Sequence, residues 1–191
     1  RIPMKNKILI VSGDPNSINS ELIFKSWKKL SISVKKKIYL ISNLHLVKKQ
    51  FKKLNYSLKL AEVKNFRENF SYKKLKIINI DLKFKDPFKI PNKNVSKFIT
   101  SSLTLAHKLA LNDDVNGIIN CPIDKKLLNN KYLGVTEFFA KKCGVKNNSE
   151  VMLIKSNKLS VSPITTHARV IQVSKKVKLS TIINKIKTIE F

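Results

Sequence analysis

The 191-residue sequence has only four glycines, two cysteines and three arginines, and it contains no long apolar run. Cys121 and Cys143 are too few for a disulfide-stabilised extracellular fold, and they favour a reduced, cytoplasmic protein. The apolar runs are short and interrupted by lysine, so we expect no membrane-spanning segment. No secretory signal is recognised, and Met4 is interpreted as the start of the folded chain.

Lysine is present in large excess. The sequence has 39 lysines and arginines against 12 acidic residues, which gives a formal net charge of +27. Such a charge is typical of proteins that bind nucleic acid or another anionic surface. However, phosphate and base recognition usually recruits arginine, and here lysine is spread along the whole chain beside abundant asparagine and isoleucine. We therefore favour biased composition and consider nucleic acid unlikely, while a basic nucleic-acid-binding protein remains an alternative.

The order of apolar patterns is typical of an α/β fold. Hydrophobic residues make up 42% of the chain, which suffices for a core, and the length fits one domain, or one domain and part of another. Short β-branched runs alternate with stretches of helical periodicity, which predicts a sheet flanked by helices. The predicted strands are 7–11, 37–42, 58–63, 75–82 and 115–120. The predicted helices include one with Asn19 or Ser20 as its N-cap, 44–54, 94–111, one that Gly144 ends as a left-handed cap, and 179–189 with Ile182, Ile183, Ile186 and Ile189 facing inward.

Residues that can bind a ligand or take part in catalysis follow several of these segments. The segment from Val115 to His167 holds NCPIDK after a strand, GVTE at a helix start with Thr136 as its N-cap candidate, and TTH after a predicted hairpin. Open α/β sheets bind ligands beyond the carboxyl ends of their strands, so we expect one shared cleft. His167 is placed like a metal ligand or a general base, and a structural role is the alternative.

Four segments together carry a family resemblance. SGDPNSINSE, NGIINCPIDK, GVTEFFAKKCG and MLIKSNKLSVSPITTH, in this order, resemble the 4-hydroxythreonine-4-phosphate dehydrogenase family of pyridoxal phosphate biosynthesis. The resemblance implies an isocitrate/isopropylmalate dehydrogenase-like three-layer α/β/α sandwich, present as one partial domain over residues 4–191 with its C-terminal part missing. It also implies a homodimer that oxidises and decarboxylates 4-phosphooxy-L-threonine, using NAD and a divalent metal (Zn, Mg or Co) held by three histidines.

The resemblance also assigns site residues. His167 in TTH matches the first metal-ligand histidine, and Thr136 in GVTE matches a substrate-binding threonine. Val135 stands where the family normally has a histidine, and its side chain can form no hydrogen bond to substrate. Four further positions match residues that shape the cleft, without an assigned role: Gly13, Asp14, Glu21 and Lys125.

Two departures limit the expected activity. The family's first loop continues with glycines, whereas this chain has the bulkier residues 16–19 (NSIN). The family's later half, with the other two metal histidines, is not in the sequence, and one histidine cannot hold a catalytic metal because such sites need about three protein ligands. We therefore expect impaired or absent activity in this chain alone. The alternative is a non-catalytic remnant or half-subunit that needs a partner.

Overall fold

The structure is a computed structural model that describes residues 7–66, 71–112, 114–128, 132, 134–145, 150–166 and 168–190. These residues divide into two compact units, with the boundary between residues 131 and 132. The prediction of one partial domain over residues 4–191 stays a prediction. Within the described ranges, no helix is both long enough and apolar enough to cross a membrane.

The first unit alternates strands and helices, as the sequence predicts. Its described strands are β1 (Lys7–Val11), β2 (Ile38–Ser42), β3 (Lys59–Glu62), β4 (Lys74–Asn79) and β5 (Val115–Asn120). Its described helices are α1 (Asn19–Lys29), α2 (Ile32–Lys37), α3 (Leu44–Lys53) and α4 (Asn92–Ala110), and a 3₁₀ turn covers Lys125–Leu128.

The strands form one parallel sheet in the order β3-β4-β2-β1-β5. Leu9 of β1 lies opposite Tyr39 of β2 on one side and opposite Ile118 of β5 on the other. All five residues of β2 are buried, as expected for a central strand covered on both faces. Because all strands run the same way, the loops after β1 and β5 leave the sheet at the same edge.

Helices cover both faces of this sheet. On one face, aromatic and aliphatic residues of α1 and α3 pack on alternate residues of β2 and β4 in a single cluster: Phe24, Trp27, Val47, Phe51, Ile38, Leu40, Leu75 and Ile77. On the other face, α4 lies against β1, β2 and β5 and buries Val95, Phe98, Ile99, Leu103 and Ala106. The three-layer α/β/α arrangement is therefore confirmed for this unit.

Local side chains explain where these helices begin. The side chain of Asn43 accepts a 2.8 Å hydrogen bond from the amide of Leu46 and so caps α3. Ser31 caps α2 in the same way, and this lysine-rich helix is not among the predicted elements. The prediction that Asn19 or Ser20 caps α1 is wrong: the cap residue is Ile18, and Asn19 is already helical.

The second unit contains short described elements. They are α5 (Val135–Lys142), β6 (Ile154–Lys155), β7 (Ser160–Val161), α6 (Val170–Lys176) and α7 (Leu179–Ile189). The predicted hairpin is confirmed, because β6 and β7 pair antiparallel. Its turn is closed by Ser156, whose hydroxyl oxygen accepts a 3.1 Å hydrogen bond from the amide of Leu159.

The last helix, α7, forms where predicted, but its isoleucine stripe does not face inward as expected. Ile183, Ile186 and Ile189 are 41%, 48% and 45% exposed. The buried residue of this helix is Lys185, whose Nζ donates a 2.8 Å hydrogen bond to the carbonyl oxygen of Glu150. The helix is thus held in its unit through its lysine side, which leaves the isoleucines on the surface of that unit.

Candidate functional site

The loop after β1 approaches the backbone of the loop after β5 at Gly13. Gly13 has φ +70°, and a Cβ there would lie 2.6 Å from the carbonyl oxygen of Pro122 and 2.6 Å from Nδ2 of Asn19. Its neighbour Asp14 donates its backbone N–H to the carbonyl oxygen of Pro122 at 3.3 Å. Only glycine fits this position, because both the backbone conformation and the lack of space exclude a side chain.

Asn19, which is 2% exposed, joins the two loops. Its Nδ2 donates to the carbonyl oxygens of Ser12 at 3.0 Å and of Pro122 at 2.8 Å, with a longer contact to Asp14 at 3.3 Å. These bonds satisfy carbonyl groups at the carboxyl ends of β1 and β5. The chain therefore fixes this edge of the sheet with one amide from the first turn of α1.

The bulkier residues of this loop also have structural roles. The Asn16 side chain donates to the carbonyl oxygen of Ile90 at 2.8 Å and accepts from the Ile90 amide at 2.9 Å. Nε2 of Gln50 donates to the carbonyl oxygens of Pro15 and Pro87, each at 2.7 Å. The side chains of Asn16 and Gln50 thus bind this loop to residues 87–90 through hydrogen bonds.

A small polar cavity lies beneath this loop. It measures about 10 Å³, the size of one water molecule, and its lining includes Ser12, Asn19, Ser20 and Ser42. Each of these residues is less than a tenth exposed. The three hydroxyl oxygens and Oδ1 of Asn19 have no hydrogen-bond partner within the described part of the chain. Four buried polar atoms around one cavity can bind a small polar molecule such as water.

The three charged residues predicted for this cleft occupy different positions in the first unit. Oδ1 of Asp14 accepts a 2.9 Å hydrogen bond from the amide of Asn16, so part of its carboxylate serves its own loop. Glu21 lies on the exposed side of α1 and pairs with Lys25, and this hydrogen bond, together with the charge of Glu21, raises the pKa of Lys25. Lys125 is exposed at the start of the 3₁₀ turn, three residues beyond Pro122.

Thr136 and Val135 lie together in the second unit at the beginning of α5. Thr136 is exposed and Val135 is half-buried. The prediction that Thr136 caps the helix is wrong, because the extended residue Gly134 occupies the cap position and its carbonyl accepts from the Phe138 amide at 3.2 Å. The hydroxyl of Thr136 is therefore on the first turn and available to a ligand. The predicted left-handed end is confirmed: Gly144 has φ +67°.

Comparison with known proteins identifies the family of this chain. Residues 33–190 match the family described as pyridoxal phosphate biosynthetic protein PdxA. The chain belongs to the PdxA family. A PdxA relative from Aquifex aeolicus, named 4-hydroxythreonine-4-phosphate dehydrogenase, is 32% identical over 97% of this chain and 57% of its own length. A relative of the same name from Sulfurihydrogenibium sp. is 28% identical over 96% of this chain and 56% of its own length.

A solved PdxA structure shows the same fold. The crystal structure of 4-hydroxythreonine-4-phosphate dehydrogenase from Klebsiella pneumoniae matches with a TM-score of 0.81 and 23% sequence identity. The match covers 95% of this chain and 57% of that one. The present chain therefore spans little more than half the length of its PdxA relatives, and the resemblance inferred from the four sequence segments is confirmed at the level of family and fold.

The metal of the predicted PdxA reaction cannot be placed on the described residues. His167 lies outside them, so its role stays a prediction. Within the described ranges, no group of three His, Cys, Asp or Glu side chains could hold a metal ion. His45 instead packs near Phe84, with ring centroids 5.5 Å apart. The described residues therefore do not fit a divalent metal.

Of the cavities lined by described residues, the two near the loop after β1 do not suit a nicotinamide cofactor. The polar cavity there is too small, and a neighbouring cavity of about 280 Å³ is lined almost wholly by apolar side chains. Cys121 lines this second cavity, and burial raises the pKa of its thiol to about 11. A thiol with so high a pKa is mostly protonated at neutral pH, so Cys121 is not an activated nucleophile.

Proposed function

We propose that this chain forms one part of a 4-hydroxythreonine-4-phosphate dehydrogenase and works only when joined to the remaining part of the PdxA fold. The proposed reaction is NAD-dependent oxidation of the secondary alcohol of 4-phosphooxy-L-threonine, followed by loss of carbon dioxide from the 3-oxo acid. The observation that carries the proposal is the match of residues 33–190 to the PdxA family. The closely joined loops after β1 and β5 support it, because they build a firm edge where such folds bind ligands.

The described residues would contribute binding and orientation. The assembled enzyme would hold NAD, which would supply the acceptor for the hydride of the alcohol carbon. The exposed hydroxyl of Thr136 can donate a hydrogen bond to the substrate, and the exposed ammonium of Lys125 adds positive charge that favours a phosphorylated ligand. The divalent metal implied by the resemblance would need His167 and ligands from the remaining part of the PdxA fold, because no group of three metal-binding side chains lies within the described ranges.

The distribution of exposed lysines favours one part of an enzyme over a nucleic-acid-binding protein. Exposed lysines lie on α3, which covers one face of the sheet, and on α4, which covers the other. Lys48 and Lys52 are examples on α3, and Lys97 and Lys108 on α4. A nucleic-acid-binding protein would concentrate such charge in one stripe.

The experiment is reconstitution of the enzyme from two pieces. The chain is mixed with a separately produced polypeptide that covers the part of the Aquifex aeolicus relative with no counterpart here, and formation of NADH from 4-phosphooxy-L-threonine is followed. We expect turnover from the mixture and none from either piece alone. The matched variant Thr136→Val should lower kcat/KM of the mixture while leaving the affinity of the two pieces for each other unchanged.

A non-catalytic remnant is the competing interpretation. It predicts a mixture that assembles, as measured by sedimentation, yet forms no NADH at any protein concentration. The same sedimentation measurement tests the homodimer that the PdxA relationship suggests, because a homodimer would contain two copies of each piece. A mixture that contains only one copy of each would contradict the homodimer.

A further inference from the structure

The outer edge of β5 lacks a partner strand in the described sheet. In the described sheet, β5 pairs with β1 on one side and has no strand on the other. Exposed edge strands usually carry lysine, proline or other charged residues that prevent association. The opposite edge strand, β3, has Lys59 and Glu62, whereas the sequence of β5, VNGIIN, contains no charged residue in a chain with 39 lysines and arginines. This composition is that of an interior strand.

An apolar groove lies beside this edge, on the face of the sheet that α1 covers. It has a volume of about 280 Å³ and is bordered by Ile8 and Ile10 of β1, Leu22 and Trp27 of α1, and Ile119 of β5. Ile119 is 54% exposed and Leu22 is 38% exposed. None of the described residues that line the groove is a lysine. A surface that is apolar and free of charge in so basic a protein is typical of a site that another polypeptide segment covers.

We propose that the edge of β5 and the adjoining groove bind a strand and an apolar helix from the part of a PdxA polypeptide that this chain does not span. The Klebsiella pneumoniae structure shares the fold over 95% of this chain, yet this chain covers only 57% of that polypeptide. The remainder can supply both the strand that extends the sheet through backbone hydrogen bonds and the apolar side chains that fill the groove. The inference rests on the proposed function, since it names the surface that receives the second piece.

Trp27 provides a direct signal for this binding. It is the only tryptophan of the chain, it is 5% exposed, and it lines the groove. The full chain is titrated with the second piece of the Aquifex aeolicus relative, in which any tryptophan is replaced by phenylalanine, and Trp27 fluorescence is recorded. Hydrogen exchange of the β5 amides is measured on the same mixture. We expect a saturable fluorescence change and slower exchange across β5.

Matched variants localise the contact. Ile119→Lys places a charge at the groove and should weaken binding by at least about tenfold, because a buried unpaired ammonium is unfavourable. Leu111→Lys introduces the same charge at a residue that is 72% exposed and does not line the groove, and it should leave the affinity unchanged. A second measurement is alkylation of Cys121, which the bound piece should slow; a Cys143→Ser background isolates this thiol.

Each outcome has a distinct meaning. Equal weakening by Ile119→Lys and Leu111→Lys, or exchange of β5 that the second piece does not slow, would overturn the proposal. Protection of β5 that appears without the second piece and rises with chain concentration would assign the surface to a second copy and would also overturn it. Protected β5 without NADH formation would uphold the docking surface and refute the proposed function. NADH formation without protection of β5 would uphold the proposed function and refute the docking surface.

Discussion

Nδ2 of Asn19 donates a 2.8 Å hydrogen bond to the carbonyl oxygen of Pro122, and the two residues are 103 positions apart in the sequence. This bond joins the first turn of α1 to the loop that follows β5. The same nitrogen bonds Ser12 at the end of β1, so one buried amide fixes the carboxyl ends of two neighbouring strands. The candidate site therefore depends on a long-range contact that forms only when the sheet has assembled.

Gly13→Ala should destabilise the first unit by about 3 kcal/mol, because the residue has a positive φ and its new Cβ would meet the Pro122 carbonyl oxygen at 2.6 Å. The control is Gly117→Ala in β5, where the added Cβ meets nothing within 4 Å. That change should raise the free energy of unfolding by at most about 1 kcal/mol. Urea unfolding followed by Trp27 fluorescence measures both. Equal effects of the two substitutions would contradict the close packing at Gly13.

Asn19→Ala should lower the free energy of unfolding by about 1–3 kcal/mol, because it leaves the buried carbonyl oxygen of Ser12 without this donor and leaves the Pro122 carbonyl oxygen with only the 3.3 Å bond from the Asp14 amide. Asn120→Ala is the control, since Asn120 is exposed and its Nδ2 makes a single 3.4 Å bond to the adjacent carbonyl group. This variant should change stability by less than about 0.5 kcal/mol. If Asn19→Ala unfolds at the same urea concentration as the unchanged protein, its bonds are not important for stability.

The elements of the fold were largely predictable, because they follow from local patterns. The apolar run of β1, the helical spacing of α3 and α4, and the glycine that ends α5 each depend on residues close together in sequence. Resemblance over four separated segments then indicated the PdxA family, which the match over residues 33–190 confirms. Neither kind of inference requires knowledge of which loops meet.

The hydrogen bonds that join the loops of the candidate site could not be predicted, because they depend on which distant loops meet. Asn16 bonds to Ile90 and Gln50 bonds to Pro87, and no local pattern indicates either pair. Asn19 was predicted as a helix cap because asparagine is common there, but it lies inside α1, where its Nδ2 donates to carbonyl oxygens at the ends of two strands. The isoleucines of α7 satisfied the helical period, yet periodicity alone does not say which element, if any, covers that face.

Lys76 should make stability depend on pH between about 8 and 10.5. This lysine is 5% exposed, its Nζ donates to the Lys36 carbonyl oxygen, and the charge lies 4.0 Å from the ring centroid of Tyr39. Burial, aided by the charge of Lys7, lowers the pKa of Lys76 from 10.5 to about 8. The unfolded chain therefore binds more protons in this window, so stability rises with pH there, by at most about 3 kcal/mol from this group.

Lys76→Met tests that dependence. The variant should unfold at a higher temperature than the unchanged protein at pH 7, because it no longer buries an ammonium group. It should also lose part of the rise in unfolding temperature above pH 8, when both proteins are compared across the same pH series. Lys74→Met, at an exposed position of the same strand, is the control and should keep the full rise. Parallel curves for all three proteins would contradict the lowered pKa.

Val135→His should improve substrate binding in the reconstituted enzyme. The valine is half-buried at the start of α5, next to the exposed hydroxyl of Thr136, and its side chain has no hydrogen-bonding group. An imidazole at this position can bond a substrate oxygen, so we expect KM for 4-phosphooxy-L-threonine to fall severalfold, by about 1 kcal/mol of binding free energy. Steady-state kinetics of the two-piece mixture measure the change. Val145→His, at a 39% exposed position just past the other end of α5, is the matched control and should leave KM unaltered. If KM of Val135→His does not fall below that of the unchanged protein, residue 135 does not face the substrate.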